Sequence, residues 1–268
     1  GANLKGAKMR GAILRGAVLD HADMRLANLS HADLQDAKLS RASLEGAKLS
    51  HVSMLNAHLR TTSFSGAVMN EIVLTGADLR LSNLSLANLR GAKLNAANLK
   101  GTILHDAILG RADLNGATLN ESDLRRANLS LATLRSADLR RANLEDAGLS
   151  GADLRGVDMR GSYAHGAVFR GAILGDADLR GTDLSMANLR WVNLKDVKLR
   201  GADLTSADLT DAETAPGQLA SAKSLEQAIM PDVSRQYRPS VSDQESAAEE
   251  EIFPAQTLIS DVNEDDNS

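Results

Sequence analysis

Three side chains with metal-ligating chemistry, His31, His51 and Glu71, recur at intervals of twenty residues. Two imidazoles and a carboxylate are donors that suit a divalent cation, provided a further strong ligand and a shielded pocket complete the site. A set of cations runs at the same interval: Arg60, Arg80, Lys100, Arg140, Arg160, Arg180 and Arg200, with Asn120 in line. Aligned on one surface, they suit an anionic partner. Trp191, the only Trp of the chain, is the kind of ring that anchors a protein partner. Each set acts together only if the fold brings residues twenty apart side by side.

The element that carries them follows from a five-residue register that holds without insertion over residues 1–212. A Leu-like residue stands at 4, 9, 14 and onward. Of the 42 such positions from Leu4 to Leu209, 34 are Leu, five Met, two Phe (Phe64, Phe169) and one Ala164. Ala fills 31 of the 42 positions two residues earlier. A helix advances about 100° per residue, so a five-residue period drifts round it and builds no apolar stripe. In extended chain, residues two apart point the same way, so Ala77 and Leu79 face in while Asp78 and Arg80 face out. An odd period would invert that pattern at the next repeat, and each pentapeptide must therefore contain a corner. Glycine marks it: 17 of the 21 Gly share the phase of Gly1, Gly6 and Gly11. All four Pro, which cannot donate to a backbone ladder, lie beyond the array at 216, 231, 239 and 254. The chain reads as a repeat array of short strands and turns, each unit burying its apolar face against its neighbours.

The triplets Ala22-Asp23-Met24, Ala27-Asn28-Leu29 and Ala112-Asp113-Leu114 stand in the pattern A(D/N)LXX, and with it the chain resembles the pentapeptide-repeat family. That resemblance covers about four-fifths of the chain. It implies an all-β, right-handed quadrilateral parallel β-helix, four pentapeptides to a coil and about ten and a half coils, in a rod roughly 50 Å long at about 4.8 Å per strand spacing. On such a coil, residues twenty apart stack. His31, His51 and Glu71 then share one corner column, about 5 Å apart, and the Arg series becomes one wall. Asp78, Asp138, Asp158 and Asp178 precede four of the Arg by two residues, so the wall is either a binding surface or a ladder of exposed ion pairs. A convex corner supplies no pocket, and we expect no metal site and no cofactor. Ala164 leaves a gap in the Leu ladder that Phe169, the next inward residue, is expected to help fill.

Residues 213–231 break the pattern. Pro216, Leu219, Ala222, Leu225 and Ile229 are spaced as a short amphipathic helix, and the run from Gln218 to Glu226 resembles the C-terminal cap of bacterial pentapeptide-repeat proteins. We expect a capping helix there. Residues 232–268 hold Glu249-Glu250-Glu251 and Glu264-Asp265-Asp266 around a small apolar island at Ile252-Phe253-Pro254 and Leu258-Ile259, and read as a disordered acidic tail. The net charge of −5 hides the division: residues 1–212 carry 27 Lys and Arg against 23 Asp and Glu, residues 213–268 carry 3 against 12.

No Cys is present, which excludes disulfides and Cys-based metal sites and leaves the compartment open. No apolar run is long enough to span a membrane. The array opens in phase at Gly1 without a leader or cap, so we read the chain as excised from a larger protein, with the cytoplasm the favoured compartment and the oligomeric state undetermined. No nucleophile elbow and no phosphate-cradling loop occur, and no enzyme activity is expected. The leading reading is a non-catalytic structural or protein-interaction module: a rigid spacer from a signalling or membrane-associated protein, with an unidentified protein partner. The alternatives are a DNA mimic that binds DNA gyrase, as some members of the resembled family are, and electrostatic binding of an anionic partner on the Arg wall. Gyrase mimicry is disfavoured by the slightly basic rod. Direct nucleic-acid binding is disfavoured because aromatic interleaving is missing.

Overall fold

A computed structural model describes residues 1–231. The corners carry the fold. Every residue at the Gly1 phase from Gly6 to Asp211, except Asp196, has a positive φ, 25 of them non-glycine, including Leu81 (φ 59°), His51 (φ 58°) and Trp191 (φ 58°). One left-handed residue per pentapeptide turns the chain and absorbs the odd residue of the period. Each pentapeptide contributes one rung to a parallel ladder that pairs Asn3 with Asp23, Lys8 with Asn28, and so on at a constant offset of twenty to Asn193 with Glu213. A coil is therefore four pentapeptides. We number its walls from the first coil: residues 2–5, 7–10, 12–15 and 17–20, each continued every twenty residues.

Following the backbone donors explains the repeat sequence. In the pentapeptide from Ala22 to Leu26, the N–H of Ala22 closes the turn on Leu19 O, and that of Asp23 reaches back to Ala2 O. The N–H groups of Met24 and Leu26 reach forward to Ser43 O and Glu45 O. The fifth, on Arg25, has no backbone acceptor, and Asp23 Oδ1 takes it at 3.2 Å. The same bond recurs at Asn28 to Ser30, Asn83 to Ser85 and Asp183 to Ser185. An Asp or Asn before the central Leu is thus the acceptor for the one amide the ladder leaves over. Where that position is Lys38 or Thr133, a side chain from the preceding coil substitutes: Asp20 for Ser40 N, Asn115 for Arg135 N.

The interior is stacked Ala and Leu, fully enclosed from the second coil onward, and Ala164 and Phe169 are both 0% exposed. One inner column departs from Ala. Thr62, Ser82, Thr102, Ser122, Ser162 and Thr182 stand in register at twenty-residue steps, with Ala142 interrupting them, and are buried. Thr62 Oγ1 donates to Leu39 O at 2.7 Å, Ser122 Oγ to Leu119 O at 2.7 Å, and Thr182 Oγ1 to Met159 O at 2.8 Å. With Ser82 and Thr102, both bonded to Leu79 O, these hydroxyls satisfy corner carbonyls of the fourth wall, which is why a polar atom is tolerated there; Ser162 Oγ alone in the column has no partner among the described residues.

The expected capping helix over 213–231 is corrected by the structure. The only helical turn among the described residues is a 3-10 turn, Gln218–Ser221, entered through Gly217 at φ 72°. Pro216 has no N–H to extend the ladder, and the Gln218 side chain takes over. Its Nε2 donates to Leu194 O and to Val197 O, the latter at 2.7 Å and the carbonyl a further coil would otherwise pair. The chain then rejoins the β-helix one residue out of step, pairing Asp203 with Ser224 and Asp208 with Ile229. The spacing misled because Leu225 and Ala228 are inward residues of a coil, while Ile229 is 56% exposed. The acidic tail expected at 232–268 lies outside the described residues.

Candidate functional site: the outer walls

The Arg series lines up on the fourth wall, as the twenty-residue offset requires. Arg80, Arg140, Arg160 and Arg180 each grip the Asp two residues earlier through Nε and Nη2, with Nη2 to Oδ2 distances of 2.5 to 2.7 Å. Weaker contacts join coils: Arg140 Nε to Asp158 at 3.7 Å and Arg160 Nε to Asp178 at 3.8 Å. Bonds from the Arg hold the carboxyls of Asp78, Asp138 and Asp178 below the usual carboxylate range. Lys100 pairs instead with Glu121 at 3.3 Å. Arg60 and Arg200 form no ion pair among the described residues, having His58 and Lys198 where the others have Asp. The wall is therefore largely neutralised in its middle and upper coils.

The same pairing occurs on the other walls, unremarked at sequence level. Arg25 grips Asp23, Arg125 grips Asp123 and Arg155 grips Asp153, all at 2.6 Å. The signal was present: every Asp-x-Arg triplet centred on an inward Leu or Met makes this pair, because both ends point outward from one extended residue. Asp153 is shared with Arg135 at 2.6 Å. Burial pushes its carboxyl up, and the two guanidiniums more than reverse this, leaving it at about 2. A bond from Arg126, with His105 adding to it, likewise brings Asp106 to about 2.

His31 and His51 stack with ring centroids 4.9 Å apart and 14° between planes. His51 Nδ1 lies 3.5 Å from Glu71 Oε2. The column is in place as expected. No group of three or more such ligands with metal-site geometry occurs among the described residues. Trp191 also sits at its corner, half-buried rather than free-standing. Its Nε1 donates to Asp211 Oδ2 at 3.1 Å, and the guanidiniums of Arg170 and Arg190 lie 4.2 and 5.5 Å from the ring centroid. The ring is thus bound into the wall by charge and cation–π attraction.

One gathering of residues was missed in the sequence. Leu26, Leu81, Leu86, Ile103, Tyr163 and Met186, 39 to 64% exposed, all stand on the first wall or its corners. Ile103 is stacked on Asn83, between the flanking corners Leu81 and Leu86. From Thr61 to Ile103 this wall and its corners carry no charged outward residue. Folding the outward positions by twenty on every wall would have revealed it.

The family model for pentapeptide repeats matches in eight copies, spanning residues 1–36, 27–66, 67–106, 107–146, 147–185 and 187–213. The chain belongs to the pentapeptide-repeat family. Its fold is accordingly the right-handed β-helix of that family. HetL, a pentapeptide-repeat protein involved in heterocyst differentiation regulation from the cyanobacterium Nostoc sp. strain PCC 7120, is 35% identical, over 79% of this chain and 90% of its own, with a TM-score of 0.45. QnrB1, a plasmid-mediated fluoroquinolone resistance protein, is 20% identical, over 70% of this chain and 92% of its own, at a TM-score of 0.48. A pentapeptide-repeat protein of the Arabidopsis thaliana thylakoid lumen is 33% identical over 38% of this chain and 68% of its own, at a TM-score of 0.31. No curated protein matches the chain. Among the described residues, no helix of this pentapeptide-repeat chain is long and apolar enough to cross a membrane.

Proposed function

We propose that this pentapeptide-repeat chain is a non-catalytic protein-interaction module that offers a rigid, four-walled surface to a protein partner. The observation that carries the reading is the gathering of exposed apolar side chains on the first wall, next to an uncharged stretch, on a chain otherwise rich in charge. Apolar surface of that kind, rimmed by polar residues, is what partners cover. The regulatory association of HetL agrees with such a role. The interior supports it too, since Ala and Leu fill the coils, with one column of Ser and Thr hydroxyls among them, and no charged side chain or imidazole lies inside among the described residues.

Electrostatic capture of an anionic partner by the fourth wall is the weaker alternative, because its own Asp residues already hold Arg80, Arg140, Arg160 and Arg180. Gyrase binding by DNA mimicry is weaker again, since residues 1–212 carry four more positive than negative charges. Excess protein is expected to leave gyrase supercoiling unchanged. The test of the leading reading is a panel of four variants, each altered on one wall, used to capture partners from source cells. Leu81→Glu with Leu86→Glu is expected to lose the partner while changes on the other three walls keep it. Equal capture by all four would contradict the reading.

A further inference from the structure

The wall with the fewest carboxylates is the second, on the far side of the coil from the Arg series, where Arg190 pairs with Asp208 at 3.7 Å. Its two outward columns run Lys8, Asn28, Lys48, Val68 and onward, and Arg10, Ser30, Ser50, Asn70 and onward. They carry Lys8, Arg10, Lys48, Arg90, Arg170 and Arg190, and no carboxylate until Asp208 in the last coil. Lys8, Arg10, Lys48 and Arg90 make no ion pair among the described residues, whereas the fourth wall is laced with them. Further carboxylates stand at its bordering corners, where Glu71 faces His51, Asp106 is held by Arg126, Asp146 lies beside Gly166 and Asp211 accepts from Trp191 Nε1. Between Arg90 and Arg170 one outward column shrinks to Gly110, Ser130 and Ser150, while the other holds Ile108, Asn128, Gly148 and Val168. Ser130 and Ser150, although in an outward column, are 8% and 0% exposed.

We infer that the ligand of this wall is the chain's own acidic segment 232–268, laid back along the rod from its C-terminal end. Three observations meet here. The described chain ends on this wall, with Ile229 paired to Asp208 and Pro231 two residues on. The segment holds ten carboxylates against two Arg. The order of charge is compatible: after Asp232 come Arg235 and Arg238, near the end of the wall that holds Asp208 and Asp211, and nine carboxylates from Asp243 onward follow, with Arg90 and Lys48 farther down the wall to receive them. Length is no obstacle. At about 3.3 Å per extended residue the segment reaches about 120 Å, against a wall of roughly 50 Å. The consequence is a built-in competitor that reserves the second wall and leaves the apolar first wall for partners. The inference holds whatever that partner is, because it depends only on the wall and the segment.

The absence of Cys permits a clean test in the full chain. A nitroxide attached at Ser260→Cys is expected to broaden amide signals of the second wall, such as Lys48, Asn88 and Asn128, while those of the fourth wall keep their intensity. Lys48→Glu with Arg90→Glu, both exposed and hence compatible with folding, is expected to restore the lost signals, as is high salt. Even broadening of all four walls, broadening centred on another wall, or unchanged broadening in the charge-reversed variant would overturn the inference. So would transfer of the effect to an isotope-labelled, nitroxide-free copy in a mixed sample, which would show contact between molecules.

Discussion

At the scale of the residue, the outward chemistry of this molecule is carried by Asp, and mostly for internal purposes. One oxygen of Asp23 or Asp178 accepts the amide that the ladder leaves over, and the same carboxylate holds the Arg two residues on. Since Asp106, Asp153 and Asp203 titrate at about 2 in the fold against an ordinary 3.8, each contributes stability above the ordinary value that is lost as pH falls through the lowered one. The melting temperature is therefore expected to fall steeply between about pH 4 and pH 2. Asp153→Asn should lower it at neutral pH and flatten that acid dependence, as measured by thermal denaturation across pH. The buried hydroxyl column makes a second claim. Thr182→Val keeps the shape but removes the bond to Met159 O, and is expected to cost about 1 kcal/mol in chemical denaturation.

At the scale of the element, the corner is the costly part. Left-handed φ at a residue with a side chain costs about 1–2 kcal/mol, and the array accepts this at 25 corners because the ladder above and below over-determines each turn. Gly116 has φ 65° and nothing within 4 Å of an added Cβ, so Gly116→Ala isolates that cost. It is expected to destabilise by about 1–2 kcal/mol without any clash. The end of the array tests another local device. Gln218→Met removes the donor to Leu194 O and Val197 O, and hydrogen exchange in residues 192–213 is expected to quicken while earlier coils stay protected. The register was legible in the sequence because burial selects Ala and Leu so strictly that the period survives every change outside. The end of the array was not, because Leu219, Ala222, Leu225 and Ile229 fit a helical spacing as well as a coil interrupted by one extra residue. Helical spacing carries no information about Pro216 removing a rung or a side-chain amide replacing it.

At the scale of the whole molecule, two periods do different work. The interior repeats every five residues and cares little which wall a pentapeptide occupies. The surface repeats every twenty, and only that spacing brings Ile103 onto Asn83 and Asp178 beside Arg160. The Arg wall was legible by folding the sequence at twenty, yet its neutralisation depended on side-chain reach, and Trp191 proved to be held by Arg170, Arg190 and Asp211 in a way no spacing shows. The two periods can be separated by deletion. Removing residues 107–126 takes out one coil and keeps all columns aligned. Removing residues 87–96 takes out half a coil and turns everything beyond it to the opposite side, parting Leu81 and Leu86 from Ile103. The measurement that bears most directly on the interaction-module account is partner capture from source cells by these two deletions, with a melt of each to confirm folding. Both are expected to melt cooperatively, with capture kept in the first and lost in the second. Full capture by the half-coil deletion, or its loss in the whole-coil deletion, would contradict the account.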